Sequence, residues 1–169
     1  MSISMYDFSI PMMTRGLTNM SAILDKAAAH AATKKFDPVV LAQARLFPDM
    51  YPLARQVQIA CDTAKGAAAR LAGIEVPKHE DTETTLAELK ARIAKTVDFL
   101  KSVTAAQLKD AESRAIEIKF PNGSWKFTGL AYLTDFVLPN FYFHVSMFYA
   151  LLRKNGIEVG KGDFLGAIQ

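Results

Sequence analysis

The chain has 169 residues, half of them hydrophobic and 22% charged, the profile of a folded globular protein rather than a disordered or fibrous one. Its excess of three basic residues is scattered in ones and twos, as at Lys34-Lys35 and Arg153-Lys154, so no phosphate-binding stripe forms and nucleic acid is not an expected partner. Cys61 is the single cysteine, which excludes an intrachain disulfide and a cysteine-based zinc site and suits a reducing cytoplasm, the expected location.

The N-terminal stretch MSISMYDFSIPMMTRGL has no basic region followed by an apolar block, so a secretory signal is not expected. From Pro11 to Ala32 the apolar residues Leu17, Met20, Ile23, Leu24, Ala27 and Ala31 recur at helical spacing, which predicts a first long helix. KKFDPVVLAQARLFPDMYPLARQ is broken by Pro38, Pro48 and Pro52, and Asp37 is a candidate N-cap for a short helical piece over Val39 to Arg45. A second long helix is predicted to begin near Asp49 and to stop at Gly73. It carries Leu53, Val57, Ala60, Cys61, Ala64, Ala68 and Leu71 inward on an Ala-rich face suited to close packing.

The polar connector IEVPKHEDTETT leads to a third helix, for which Thr84 or Thr85 with Glu88 supplies a capping signal. Its stripe is Leu86, Leu89, Ile93, Val97 and Leu100. After a short helical turn begun by Thr104, the period changes to two in AIEIKFPNGSWKFTG. This predicts a β-hairpin with Ile116, Ile118, Trp125 and Phe127 on one face, covering part of the bundle. The last long helix should run from near Gly129 to Asn155-Gly156, with a kink at Pro139.

Within that helix the charge-free run Phe136 to Leu152 is shorter than the roughly 20 residues a spanning helix needs, and it contains Pro139, Asn140, His144 and Ser146. It reads as a core helix, and no membrane partner is expected. Its apolar residues cannot all face one way, so a homodimer paired through helix faces is expected, with the hairpin and the segment Met1 to Met13 as the intrachain alternative cover. The predicted class is all-α: a four-helix bundle with a small β-hairpin before the last helix, in one domain over residues 1–169.

Asn140 and His144 are four apart and so share one face of the last helix. The segment FHVSMFYALLRKNGI resembles the last-helix pattern of the DinB/YfiT-like superfamily, a His, three residues, a second His, then a Tyr-Leu-Arg-like run and a Gly turn. PNGSW before the helix and YPLARQVQIACDTAKGAAARLAG in the second helix are similar to the same family, within a branch of domains of unknown function. The resemblance implies a four-helix fold. In familiar members a divalent metal is held by one histidine on the second helix and two on the last, and several use it to activate a thiol for transfer reactions.

This chain departs from that pattern. Asn140 stands at the first histidine position of the last helix, and the second helix offers Gln56, Gln58 and Asp62 but no histidine. One imidazole with amides makes a poor transition-metal site, so no cofactor is expected; a zinc or nickel ion, if bound, would have His144 with Asn140 and Asp62. The expected site is a polar pocket of Asn140, His144, Gln58, Gln56, Asp62 and Tyr142 that holds a small-molecule ligand. Two other roles for His144 stay open. It can serve as the general base of a transferase or hydrolase, or as a buried histidine bonded to Gln58, Asn140 or Tyr142. Cys61, in the Ala-rich stripe, reads as a small core hydrophobe before it reads as a nucleophile. His30 and His79 fall outside the pocket.

Overall fold

The computed structural model describes residues 4–167. Helix α1 (Ile10–Lys34) has Pro11 in its first turn, where a missing N–H costs nothing. It ends on Lys35 in the left-handed region, whose N–H bonds the carbonyls of Ala31 and Ala32. Helix α2 (Val39–Ala42) is opened by Asp37, whose Oδ1 accepts the Val39 N–H at 2.9 Å, and it is shorter than the predicted piece. Helix α3 (Leu53–Ala72) starts four residues after the predicted Asp49. Pro52 explains the delay: it bars the helical region to Tyr51, so regular hydrogen bonding begins only after it. Gly73, at φ 69°, closes α3 as expected.

Helix α4 (Leu86–Ser102) opens on the capping box read from the sequence. Thr85 accepts the Glu88 N–H, and the Glu88 carboxylate reaches back to the N–H groups of Thr84 and Thr85. A 3-10 turn at Ala105–Leu108 follows Thr104, and β1 (Ala115–Phe120) pairs antiparallel with β2 (Gly123–Thr128). In this register Ile116 faces Phe127 and Ile118 faces Trp125, so the four share one face as the period-two pattern requires. Trp125 nevertheless lies at the outer edge, 52% exposed, between the rings of Phe120 and Phe136.

The last long helix is three pieces in series: α5 (Gly129–Ala131), a π-helical stretch at Tyr132–Val137, and α6 (Leu138–Lys154). At the expected kink the chain widens just before Pro139. A proline there cannot donate to the carbonyl four residues back and its ring crowds it, and a π turn relieves both. A short helix, α7 (Lys161–Leu165), was not foreseen from the pattern; it packs on α1, where Lys26 pairs with Asp163 at 2.6 Å.

Helix α3 sits centrally, packed on α6 along one side and on α4 along the other, while α1 closes the bundle against both. Its small residues Ala60, Ala64, Ala67 and Ala68 have no exposure and let the neighbours approach. Gly16 does the same for α1, since a Cβ there would lie 2.8 Å from the Phe141 ring. On α6, Phe141, Val145, Phe148, Leu151 and Leu152 point into the core, Tyr149 meets Phe164 of α7, and Phe143 stays 53% exposed. Of the segment Met1 to Met13, Ile10 and Met13 are buried, and residues 1–3 lie outside the described residues. Among the described residues, no helix is long and apolar enough to cross a membrane.

Candidate functional site

His144 lies inside the bundle, 6% exposed, facing α3. Its Nδ1 is 2.7 Å from Gln56 Oε1, and Gln56 Nε2 donates to the Tyr51 carbonyl at 3.1 Å. That chain settles the imidazole's tautomer. The carbonyl can only accept, so it takes the amide's N–H; the amide's oxygen is then what faces His144, and Nδ1 must carry the proton. Burial, and then the positive charge of Arg55, hold the histidine below its ordinary value, so at neutral pH it is uncharged with the lone pair on Nε2. Nε2 has no protein hydrogen-bond partner among the described residues. The centres of the Phe143 and His144 rings are 5.2 Å apart with their planes perpendicular, and the Arg55 guanidinium lies 6.0 Å from the centre of the Tyr51 ring.

One turn back on α6, Asn140 Nδ2 donates to Thr63 Oγ1 at 2.8 Å. Gln56 and Thr63 are seven residues apart on α3 and so project within about 20° of one another at 3.6 residues per turn. The α3–α6 seam therefore holds two polar pairs, His144 with Gln56 and Asn140 with Thr63, in an otherwise apolar contact.

The rest of the predicted pocket is elsewhere. Gln58 projects about 160° from Gln56, where its Nε2 donates to Glu83 at 3.0 Å and its Oε1 accepts from Arg55 at 3.2 Å. Asp62, on that same face, pairs with Arg92 and with Lys65, each at 2.9 Å. Tyr142 is half-buried against Phe141, its phenol raised by burial although Arg15 of α1 draws it down. The structure thus joins His144 to Gln56, leaves Asn140 on the same seam, and separates Gln58, Asp62 and Tyr142 from them. The partner expected for His144 as a buried histidine was Gln58, Asn140 or Tyr142; it is Gln56. His30 meets Phe36 edge-on, and His79 lies in the connector with its Nδ1 buried and unpartnered.

Sequence reasoning missed Thr63, Arg55 and Arg92. Thr63 could have been found from its seven-residue spacing to Gln56. Arg92 carried a signal too, as a cation beside Leu89 and Ile93 in the α4 stripe. Its side chain is 1% exposed and pairs with Asp62, Asp81 and Glu83 at 2.9 to 3.0 Å, and it donates to the Glu80 carbonyl. Arg55 also pairs with Asp81, so two cations pin the connector over α3 and α4. Behind this network burial pushes the Cys61 thiol up to about 12, although Thr96 and Arg92 draw it down, which leaves it protonated and unreactive at neutral pH.

The donors a divalent metal would need do not converge. Asp62 is engaged by two cations on the far face of α3, Asn140 is turned to Thr63, and the amide beside His144 is a weak ligand. Among the described residues no group of three or more His, Cys, Asp or Glu side chains is placed to hold a metal ion. The residues present do not fit the family's ion as they stand.

Residues 5–165 match the family described as Domain of unknown function (DUF1993). The chain is also similar to the crystal structure of a DinB family member protein from Shewanella denitrificans, at 45% identity and a TM-score of 0.90, covering 96% of this chain and 92% of that one. No curated protein matches it.

Proposed function

The chain belongs to the DUF1993 family, with a DinB-like helical fold, and from that premise we propose that the α3–α6 seam is a small-ligand pocket whose working atom is Nε2 of a neutral His144. The observation that carries the reading is the Tyr51–Gln56–His144 chain, because it orients the imidazole and assigns its proton without using Nε2. A ligand O–H or N–H would donate to that nitrogen. The exposed rings of Tyr51 and Phe143 would flank its apolar part. In this reading Asn140 stands at the first histidine position of the last-helix pattern that the chain resembles, and the polar seam is what remains of a metal site.

The same tautomer favours a second reading, His144 as the general base of a transferase or hydrolase. A base needs an unprotonated nitrogen held in place at working pH: burial and Arg55 keep the ring neutral, and the Gln56 bond holds it in orientation. The two readings part on turnover alone.

Long-range proton–nitrogen spectra of the imidazole at pH 7.5 test the proposal. We expect a protonated Nδ1 and a bare Nε2, and an Nε2 resonance that moves when small aromatic alcohols and amides are added. A protonated Nε2, or a resonance indifferent to every such fragment, would overturn it. A lone buried cysteine supports placing this activity in a reducing compartment.

A further inference from the structure

A groove that shares no residue with the α3–α6 seam opens where the N-terminal segment, the 3-10 turn at Ala105–Leu108 and the start of the last long helix meet. Its volume is about 920 Å³, within the range of small-molecule sites, roughly 300 to 1,000 Å³. Met5, Phe8, Leu108, Leu130, Leu133 and Leu138 make its walls. Phe8 and Leu130 are about half exposed there, apolar surface that the fold itself leaves facing water.

The backbone around the groove is irregular on two sides. Leu133 and Thr134 come from the π-helical stretch, and Asp110 holds a left-handed φ of 56°, both features that recur at functional sites. The rim carries Lys109, Asp110 and Glu112, two carboxylates to one ammonium, and none of the three forms an ion pair among the described residues. An apolar trough under a rim of net negative charge selects a cation with an apolar tail.

We propose that this groove binds a small amphipathic amine, its chain along Phe8, Leu130 and Leu133 and its ammonium at Asp110 and Glu112. The site is independent of His144. Calorimetric titration of the full chain with octylamine, 1-octanol and octanoate separates the contributions of chain and charge. Octylamine should bind tightest, about two- to fivefold above octanol, as an exposed charge pair allows. High salt, or the double substitution Asp110→Asn and Glu112→Gln, should erase that margin. Hexylamine should bind about tenfold more weakly than octylamine, since it buries two fewer methylenes.

Leu130→Arg, at a half-exposed position, should abolish binding with the thermal unfolding temperature unchanged, and Phe8→Arg should do the same should the first variant misfold. Throughout, the imidazole resonances of His144 should stay still. Octanoate binding as tightly as octylamine, no heat with any amine, or full binding in both arginine variants would each overturn the proposal.

Discussion

Helix α3 presents two polar faces, and they solve opposite problems. Toward α6 it offers Gln56 and Thr63, neutral groups that each meet one neutral partner in an apolar seam. Toward α4 it offers Gln58, Asp62 and Lys65, which join Arg92, Arg55 and the carboxylates of the 74–85 connector in an ionic network. The ionic face fastens an irregular loop, and its charges are paired with one another, although Arg92 Nε is buried without a partner. The neutral face leaves Nε2 of His144, on a ring already oriented by Gln56, unspent. Polarity alone therefore does not mark a site in this fold; an oriented group with unused capacity does.

The comparison is broken most severely by removing its central cation. Arg92→Met should take one cation from three carboxylates and a donor from the Glu80 carbonyl, and cost about 3 kcal/mol, the low end for a broken buried pair because Asp62 keeps Lys65, Asp81 keeps Arg55 and both keep contact with water. Urea unfolding measures it, and a loss below about 1 kcal/mol would mean that the network is a surface ornament.

His144→Leu should cost less, about 2 kcal/mol, by leaving the Gln56 oxygen buried without a donor. Pairing it with Gln56→Leu in a double-mutant cycle should return a coupling of about 1 kcal/mol. Zero coupling would mean that the 2.7 Å contact does not persist in solution.

Trp125→Ala lies outside both seams and supplies a baseline. With half its surface in water it should cost about 1 kcal/mol, where a fully buried aromatic such as Phe141 loses about 3 to 5 on truncation. Thermal melts of the two variants side by side would show whether the hairpin is a lid on the core or part of it.

The smallest effect separates the two faces by pH. His144 is held below its ordinary value of 6.5 in the fold, so the unfolded chain takes up the proton first. Its contribution to stability is complete above 6.5 and is lost as pH falls below that value. His79, lowered first by burial and then by Lys65 and other cations, acts in the same window, so a His79→Gln background isolates His144. For Asp81 burial pushes upward, but Arg55 and Arg92 outweigh it and hold the carboxyl below 3.8. Its contribution is present above 3.8 and is lost only as pH falls below that. Urea midpoints at pH 7.5, 5.5 and 3 should therefore show His144→Leu flattening the first step and Asp81→Asn the second.

Local order was legible in the residues themselves. The Thr85 and Glu88 box, the Gly73 stop, the hairpin register and the inward stripes of α1, α3 and α4 depend on neighbours a few positions away, and each stands within a few residues of its expected place. His144 could likewise be read as inward from its apolar setting. What sequence periodicity could not decide was which side of α3 would meet α6. A helical wheel shows that Gln56 and Gln58 diverge, but not which of them faces a histidine on another helix, because that angle is set by how the Ala-rich surface of α3 beds against its neighbours. Only the packed bundle chose Gln56 and Thr63 for the α6 seam and gave Gln58 and Asp62 to Arg92. The π-helical stretch before Pro139 was settled in the same way, since its residues Tyr132 and Phe136 make aromatic contacts with the hairpin that no local pattern announces.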